Sequence, residues 1–250
     1  MKLHEIYVFI KRTSIVWRRK IDWIRGYEFQ KNVQTRNWSE GASQSYYMKI
    51  ESALRDQYRK LAKDQGYRTR ASYKLLELNK KYNILKQNDT ILDIGCAPGG
   101  WLQVSKKYSG LNWKVFGIDL NPIKPIPGTT VIQANVEDPN VVQIIKQRFS
   151  FSFDVVLSDL SPSVSGIWQY DHERQLSLTL VALHISKQLL KRGGIAVFKI
   201  FEGKYSSNVK QEASRLFMKV ATNKPKASRL KSSEFYLVCL SFIGNDHTAW

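Results

Sequence analysis

The sequence predicts an α/β fold: a mostly parallel sheet with helices on both faces. Three observations carry this. From Ile91 onward, short apolar runs rich in β-branched residues alternate with amphipathic helical stretches. The first of these runs ends in a turn of small residues, Gly95-Cys-Ala-Pro-Gly99-Gly100, that leads into a helix. In open α/β sheets ligands sit at that kind of strand end. The chain of 250 residues is 43% hydrophobic, enough for one sizeable core.

The elements follow in order. Residues 1–50 mix aromatics with Lys and Arg, and Ile10, Trp17, Ile21 and Ile24 share the spacing of one helix face. Residues 1–50 are therefore expected to form a basic aromatic extension, and 51–250 the main domain. Polar residues from about Asn32 to Tyr47 read as a linker. Helical periodicity then runs to Tyr82, broken near Gly66, with Ala71, Leu75, Leu76 and Leu78 as an apolar face. Strands are expected at Ile91–Ile94, Lys114–Ile118, Thr130–Gln133, Asp154–Leu157, Ile195–Ile200 and Phe235–Phe242. Helices are expected at Trp101–Tyr108, Val141–Phe149, Arg174–Leu190 and Asn208–Phe217.

Charge narrows the partners. Lys plus Arg total 39 against 21 for Asp plus Glu, a net +18. Such an excess favours a polyanion, either nucleic acid or an anionic surface. No apolar run reaches the roughly 20 residues of a membrane span. Cys96 and Cys239 are too few for a disulfide framework or a zinc site, and the four histidines are scattered. A cytoplasmic, metal-free monomer is expected.

The turn after the first strand discriminates between cofactors. A dinucleotide loop is G-x-G-x-x-G and cradles pyrophosphate on a helix N-terminus. Here the spacing differs, Pro98 removes an amide donor, and Asp93 ends the strand. A carboxylate there repels pyrophosphate and suits an amino group or a sulfonium, so S-adenosylmethionine is favoured over NAD. Asp119, ending the next strand, can accept from both ribose hydroxyls of an adenosine. At the third strand end, Asn135 or Asp138 could read the adenine amino group. Asp138 also fits the start of a helix.

Polar residues mark the same edge. Asp159 follows the fourth strand, and Lys199 lies inside an apolar one, where it is costly unless paired or functional. If the last strand runs antiparallel, Glu234 joins them. Lys74 lies on a helix ahead of the sheet.

The stretches "GYRTRASYKLLELN", "LDIGCAPGGWLQV", "SDLSPSVSG", "GGIAVFKIFEG" and "KPKASRLKSSEFYLV" resemble, in order and spacing, the motifs of the FtsJ/RrmJ family of RNA 2′-O-ribose methyltransferases. The resemblance runs from about Tyr58 to Ile243. It implies a Rossmann-like S-adenosylmethionine-dependent methyltransferase, with a seven-stranded sheet whose last strand is antiparallel. It maps the family's Lys–Asp–Lys–Glu tetrad onto Lys74, Asp159, Lys199 and Glu234. Cofactor positions map to Gly99, Trp101, Asp119 and Asp159, beside Asp93 and Gly95 of the turn. The adenine-reading aspartate falls on Asn135, where an amide oxygen can still accept but the charge is gone. Lys199 is assigned to accepting or polarising the hydroxyl proton, with Asp159 orienting it and Lys74 and Glu234 positioning the ribose. Arg68 and Arg70, with Lys80 and Lys81, flank Lys74, while Lys224, Lys226, Arg229 and Lys231 precede Glu234. Both clusters are expected to hold RNA phosphates. The implied substrate is a uridine in large-subunit rRNA, within the ribosomal subunit. A tRNA substrate, a non-catalytic RNA-binding assembly factor and an NAD oxidoreductase are the rival readings.

Overall fold

The computed structural model describes residues 57–110, 114–163, 165–203, 205–229 and 232–244. The extension at 1–50, with its Ile10–Ile24 face and the Asn32–Tyr47 linker, lies outside the described residues, as does Lys231.

A helical segment over 57–64 stops at Gly66, which has φ +72°. Glycine takes that left-handed turn without the steric cost a Cβ would impose. The chain re-enters a helix at α1 (Ala71–Tyr82), which ends on Asn83 in the left-handed region with Lys80 and Lys81 in its last turn. Then follow β1 (Ile91–Ile94), α2 (Gly100–Ser109), β2 (Val115–Asp119), β3 (Thr129–Gln133), α3 (Val141–Arg148) and β4 (Phe153–Ser158). The chain continues through α4 (Trp168–Leu189), β5 (Leu190–Phe201), α5 (Ser206–Leu216), β6 (Phe217–Asn223) and β7 (Glu234–Phe242).

The seven strands form one sheet in the order β3-β2-β1-β4-β5-β7-β6. Strands β1 to β5 pair in parallel, and β7 runs antiparallel to both β5 and β6. Strand order reverses at β1, which lies between β2 and β4. A crevice opens at the carboxyl ends of such a pair.

Alternation along β1 assigns its side chains to two cores. Leu92 and Ile94 join the core that holds Ile145 of α3, Leu183 of α4 and Val209 of α5. Ile91 joins the core that holds Leu75 and Leu78 of α1 and Leu102 of α2. Asp93 shares the parity of Ile91 and faces the α1–α2 side. Since β7 is antiparallel, its first residue pairs with the last of β5, Glu234 opposite Phe201. An acid at the start of β7 thus reaches the edge where the parallel strands end.

Three elements differ from expectation. The strand expected at Ile195–Ile200 spans Leu190–Phe201. The helix expected at Asn208–Phe217 ends at Leu216, and Phe217 begins β6, a strand the sequence reading missed. The helix expected at Arg174–Leu190 begins at Trp168 and ends at Leu189.

Candidate active site

Helical segment 57–64, the start of α1, the turn after β1, and the ends of β4 and β5 enclose a cleft of about 650 Å³. Lys74, Asp93, Gly95, Asp159 and Lys199 all line it.

Lys199 belongs to a strand whose neighbours are buried, and is itself only 6% exposed. Its backbone carbonyl accepts from Thr179 Oγ1 at 2.9 Å and Gln175 Nε2 at 3.1 Å, so α4 fixes the strand end from behind. Its Nζ donates to the Asp159 backbone carbonyl at 3.1 Å and lies 3.3 Å from Asp159 Oδ1. Glu234 Oε2 stands 4.0 Å away. Glu234 Oε1 meets Lys74 Nζ at 2.6 Å and accepts from Ser228 Oγ at 2.8 Å. Lys74 reaches it because α1 is tied to α2: Ser72 Oγ donates to the Gly100 carbonyl, and Trp101 Nε1 to that of Ala71. The four tetrad side chains therefore meet at one point, supplied by α1, the end of β4, β5 and β7. Two ammoniums and two carboxylates balance within a region that water scarcely enters. That balance is what makes burying them tolerable.

Tyr236, next but one to Glu234 on β7, belongs to this group and was not singled out from sequence. It is fully buried, its hydroxyl donates to Asp159 Oδ1 at 2.7 Å, and its ring packs on Trp101. Lys74 Nζ lies 5.7 Å from the centre of that ring. Burial raises the Asp159 carboxyl, but the Lys199 and Lys74 ammoniums and the Tyr236 hydrogen bond outweigh it and hold the group below the usual aspartate range. Burial beside Asp159 and Glu234 pushes the Tyr236 phenol well above its ordinary value, so it stays a donor.

Asp93 is the opposite case. It is fully buried, and neither carboxylate oxygen has a hydrogen-bond partner. Burial first, then the nearby Asp159 and Asp119, push it well above the usual range.

The turn is packed to its limit. A Cβ on Gly95, where φ is +76°, would come within 2.5 Å of Leu160 Cδ2. One on Gly99, where φ is +109°, would meet Ile126 Cδ1 at 2.7 Å and Arg68 Nη1 at 2.9 Å. Arg68 uses that space. Its guanidinium donates to the carbonyls of Pro98 at 2.8 Å and Pro125 at 3.0 Å, clasping the loops after β1 and β2 together.

The remaining expected residues are spread around this centre. Trp101 is buried beneath the cleft, which it helps to line. Asp119 is buried at the end of β2, and its oxygens accept from the amides of Ala97 and Asn121, both at 2.8 Å. Asn135 is exposed beyond β3, with Oδ1 accepting from the Glu137 amide. Asp138 accepts from the Asn140 amide in the turn before α3, a helix-entry role. Asp119, Asn135 and Asp138 are not among the residues lining the cleft.

Among the cations, Arg68 and Arg70 line the cleft. So do Arg59 and Lys63, one helical turn apart, which the sequence reading did not single out. On the other flank, Lys224 Nζ donates to the Ser232 carbonyl, Lys226 is held through its amide by Glu77, and Arg229 is exposed. Lys81 Nζ donates to Asn223 Oδ1, and Lys80 is exposed. Among the described residues, no helix is long and apolar enough to cross a membrane.

Comparison with known proteins agrees with this architecture. The sequence model of the FtsJ-like methyltransferase family matches residues 67–242. A protein of Nitrosopumilus maritimus named ribosomal RNA large subunit methyltransferase E is 46% identical over 197 residues, covering 79% of this chain and 100% of the relative. Its namesake in Cenarchaeum symbiosum is 44% identical over 192 residues, covering 77% and 97%. A crystal structure from Plasmodium falciparum, provisionally described as a ribosomal RNA methyltransferase, superposes with a TM-score of 0.63 at 37% identity. It covers 71% of this chain and 100% of that one.

Proposed function

Because the chain belongs to the FtsJ-like methyltransferase family, we propose that it methylates the 2′ hydroxyl of a ribose, a uridine, in large-subunit ribosomal RNA, with S-adenosylmethionine as donor. The meeting of Lys74, Asp159, Lys199 and Glu234, the first three of them lining one cleft, carries this reading. The names of the relatives support the choice of RNA.

The residues present fit the cofactor. A buried carboxylate with two unpartnered oxygens is costly unless a ligand completes it. Asp93 suits the ammonium of an amino-acid tail. Gly95 and Gly99 keep the turn free of side chains, and Trp101 forms part of the floor. Asp119 would accept from ribose hydroxyls on lone pairs left by its two amide bonds, and Asn135 would read the adenine edge. When bound, S-adenosylmethionine supplies a methyl group on a sulfonium.

This chain's side chains would prepare the acceptor. Lys199 Nζ would polarise or accept the ribose hydroxyl proton. Asp159 orients that nitrogen through its backbone carbonyl and Oδ1, and Tyr236 holds Asp159 in turn. The Lys74–Glu234 pair would position the ribose. Arg59, Lys63, Arg70 and the exposed Arg229 would bear on phosphates around it.

The test uses large ribosomal subunits lacking the modification. The wild-type protein is expected to methylate them, with activity falling steeply as salt rises. Lys199→Ala is expected to lose transfer by about 10²–10⁴-fold while still binding S-adenosylmethionine. Near-normal turnover by that variant would remove Lys199 from its role, and better methylation of tRNA would overturn the rRNA assignment.

A further inference from the structure

We infer that Trp168 is a stacking platform for an RNA base, one that holds a nucleotide near the ribose being modified. This rests on RNA being the substrate.

Large apolar side chains are concentrated where α4 begins. Ile167, Trp168 and Tyr170 are each more than half exposed, at 66%, 63% and 58%. Such exposure costs free energy unless something covers it, and contiguous apolar exposure marks an interaction surface. The indole is not a loose side chain. It lies parallel to the His172 imidazole, with 4° between the ring planes and 5.1 Å between their centres. His172 is buried, and neither of its nitrogens has a hydrogen-bond partner. It is wedged against Gly203, where a Cβ would come within 2.3 Å of Nε2. Neither imidazole nitrogen meets a polar partner, so the contribution of the ring is its flat face, a fixed backing for the indole. With one indole face covered and most of the residue exposed, the other face is open to solvent.

The support beneath is equally fixed. Asp171 accepts from the Ser165 amide and hydroxyl, at 2.8 and 2.7 Å, and from the Gly166 amide at 3.3 Å. It thereby ties the loop that follows Asp159 to the first turn of α4.

Position connects the platform to the candidate site. Trp168, His172 and Gln175 lie on one face of α4. Gln175 Nε2 touches the carbonyls of Leu160 and Lys199, directly behind the tetrad. Two turns of helix, roughly 10 Å, carry that face past the carboxyl edge of the sheet to Trp168. Gly203, against which His172 rests, follows closely after Phe201, the partner of Glu234. The platform therefore flanks the tetrad at the same edge of the sheet.

An RNA base is the occupant the chemistry favours. Lys and Arg around the cleft attract phosphates without regard to the base. A nucleotide drawn out of its stack needs a flat apolar surface, and aromatic rings supply it without regard to sequence. Arg59, Lys63, Arg68 and Arg70, which line the adjoining cleft, favour a polyanion over a protein partner beside it.

The full chain is titrated with a short labelled single-stranded RNA and with a series of oligomers lacking one base at a time. Trp168→Ala is expected to bind the intact oligomer about 5–100-fold more weakly, and Trp168→Phe to recover most of that loss. Removing the base at one position should weaken wild-type binding by a similar factor and leave Trp168→Ala unaffected. The proposal is overturned if Trp168→Ala binds the intact oligomer like wild type, or if each missing base costs both proteins equally, as for a backbone contact or a protein-docking surface. Absence of any binding to these oligomers by wild type overturns it too. Calorimetry with S-adenosylmethionine and a thermal melt, both expected to match wild type, exclude misfolding. If the stacking signature is present but no RNA is methylated, the methyl-acceptor assignment fails alone.

Discussion

Asp93 keeps a carboxylate where none of its oxygens is satisfied, and pH should expose the cost. Burial and the neighbouring Asp159 and Asp119 raise its folded-state pKa. A raised carboxyl favours folding below the unfolded value, about 3.9, and that advantage is lost as pH rises through the folded value. At neutral pH the cofactor-free protein therefore carries a penalty. Asp93→Asn is expected to melt higher than wild type at pH 7, by the equivalent of about 1–3 kcal/mol. The difference should vanish below about pH 4, and the variant should bind S-adenosylmethionine more weakly. Paired thermal melts and calorimetry check both halves, and a wild type that melts higher at pH 7 would contradict the assignment. Asp159 has the opposite sign: its lowered pKa contributes stability above the unfolded value, lost as pH falls. Much of this arrangement was legible in the sequence, because a lysine in an apolar strand and an aspartate at a strand end are locally anomalous. Tyr236 was not, since a tyrosine in a strand reads as an ordinary β-former. Its significance depends on a hydroxyl partner far away in sequence. Arg59 and Lys63 were passed over because cations on a helix read as a solvated face.

The loops after β1 and β4 touch through a side chain on one and its absence on the other. A Cβ on Gly95 would meet Leu160 Cδ2 and Cγ, at 2.5 and 2.8 Å, and Leu160 adjoins Asp159. Gly95→Ala should push the β4 loop and misplace Asp159, lowering both methyl transfer and stability, the latter by about 1–3 kcal/mol from backbone strain plus the clash. Gly95→Ala with Leu160→Ala removes those two atoms, so it should regain part of the transfer rate lost by Gly95→Ala alone. If the double variant is no better than the single, the glycine serves only its own φ. At this scale the sequence showed the buried elements and blurred the exposed ones. Strand β6 reads FMKVATN, with Phe217 its one fully buried residue, at the sheet's edge. A half-exposed edge gives little alternation to detect, so the preceding helix seemed to run on. Helix α4 seemed to start late because the buried residues of its first turns are Asp171 and His172, which carry no apolar period.

The family match begins at residue 67, and every member of the tetrad lies beyond it. A chain lacking residues 1–50 is therefore expected to fold and to bind S-adenosylmethionine with unchanged affinity. A melt and a titration test this, and an insoluble product would assign the Ile10–Ile24 face to the core. Across the whole sheet, the strand order β5-β7-β6 has a consequence for how the protein is made. Strand β7 is synthesised after both of its neighbours yet lies between them. At translation speeds of about 5–20 residues per second, β5 waits some seconds with an open edge before its partner emerges. Over that interval the nascent chain already holds Asp93, the glycine turn and Lys199, while the carboxylate that pairs with Lys74 at 2.6 Å has yet to be made. A product released before Glu234 would lack the carboxylate that pairs with Lys74 and the Tyr236 hydroxyl that holds Asp159, so premature termination should yield inert chains rather than slow enzymes.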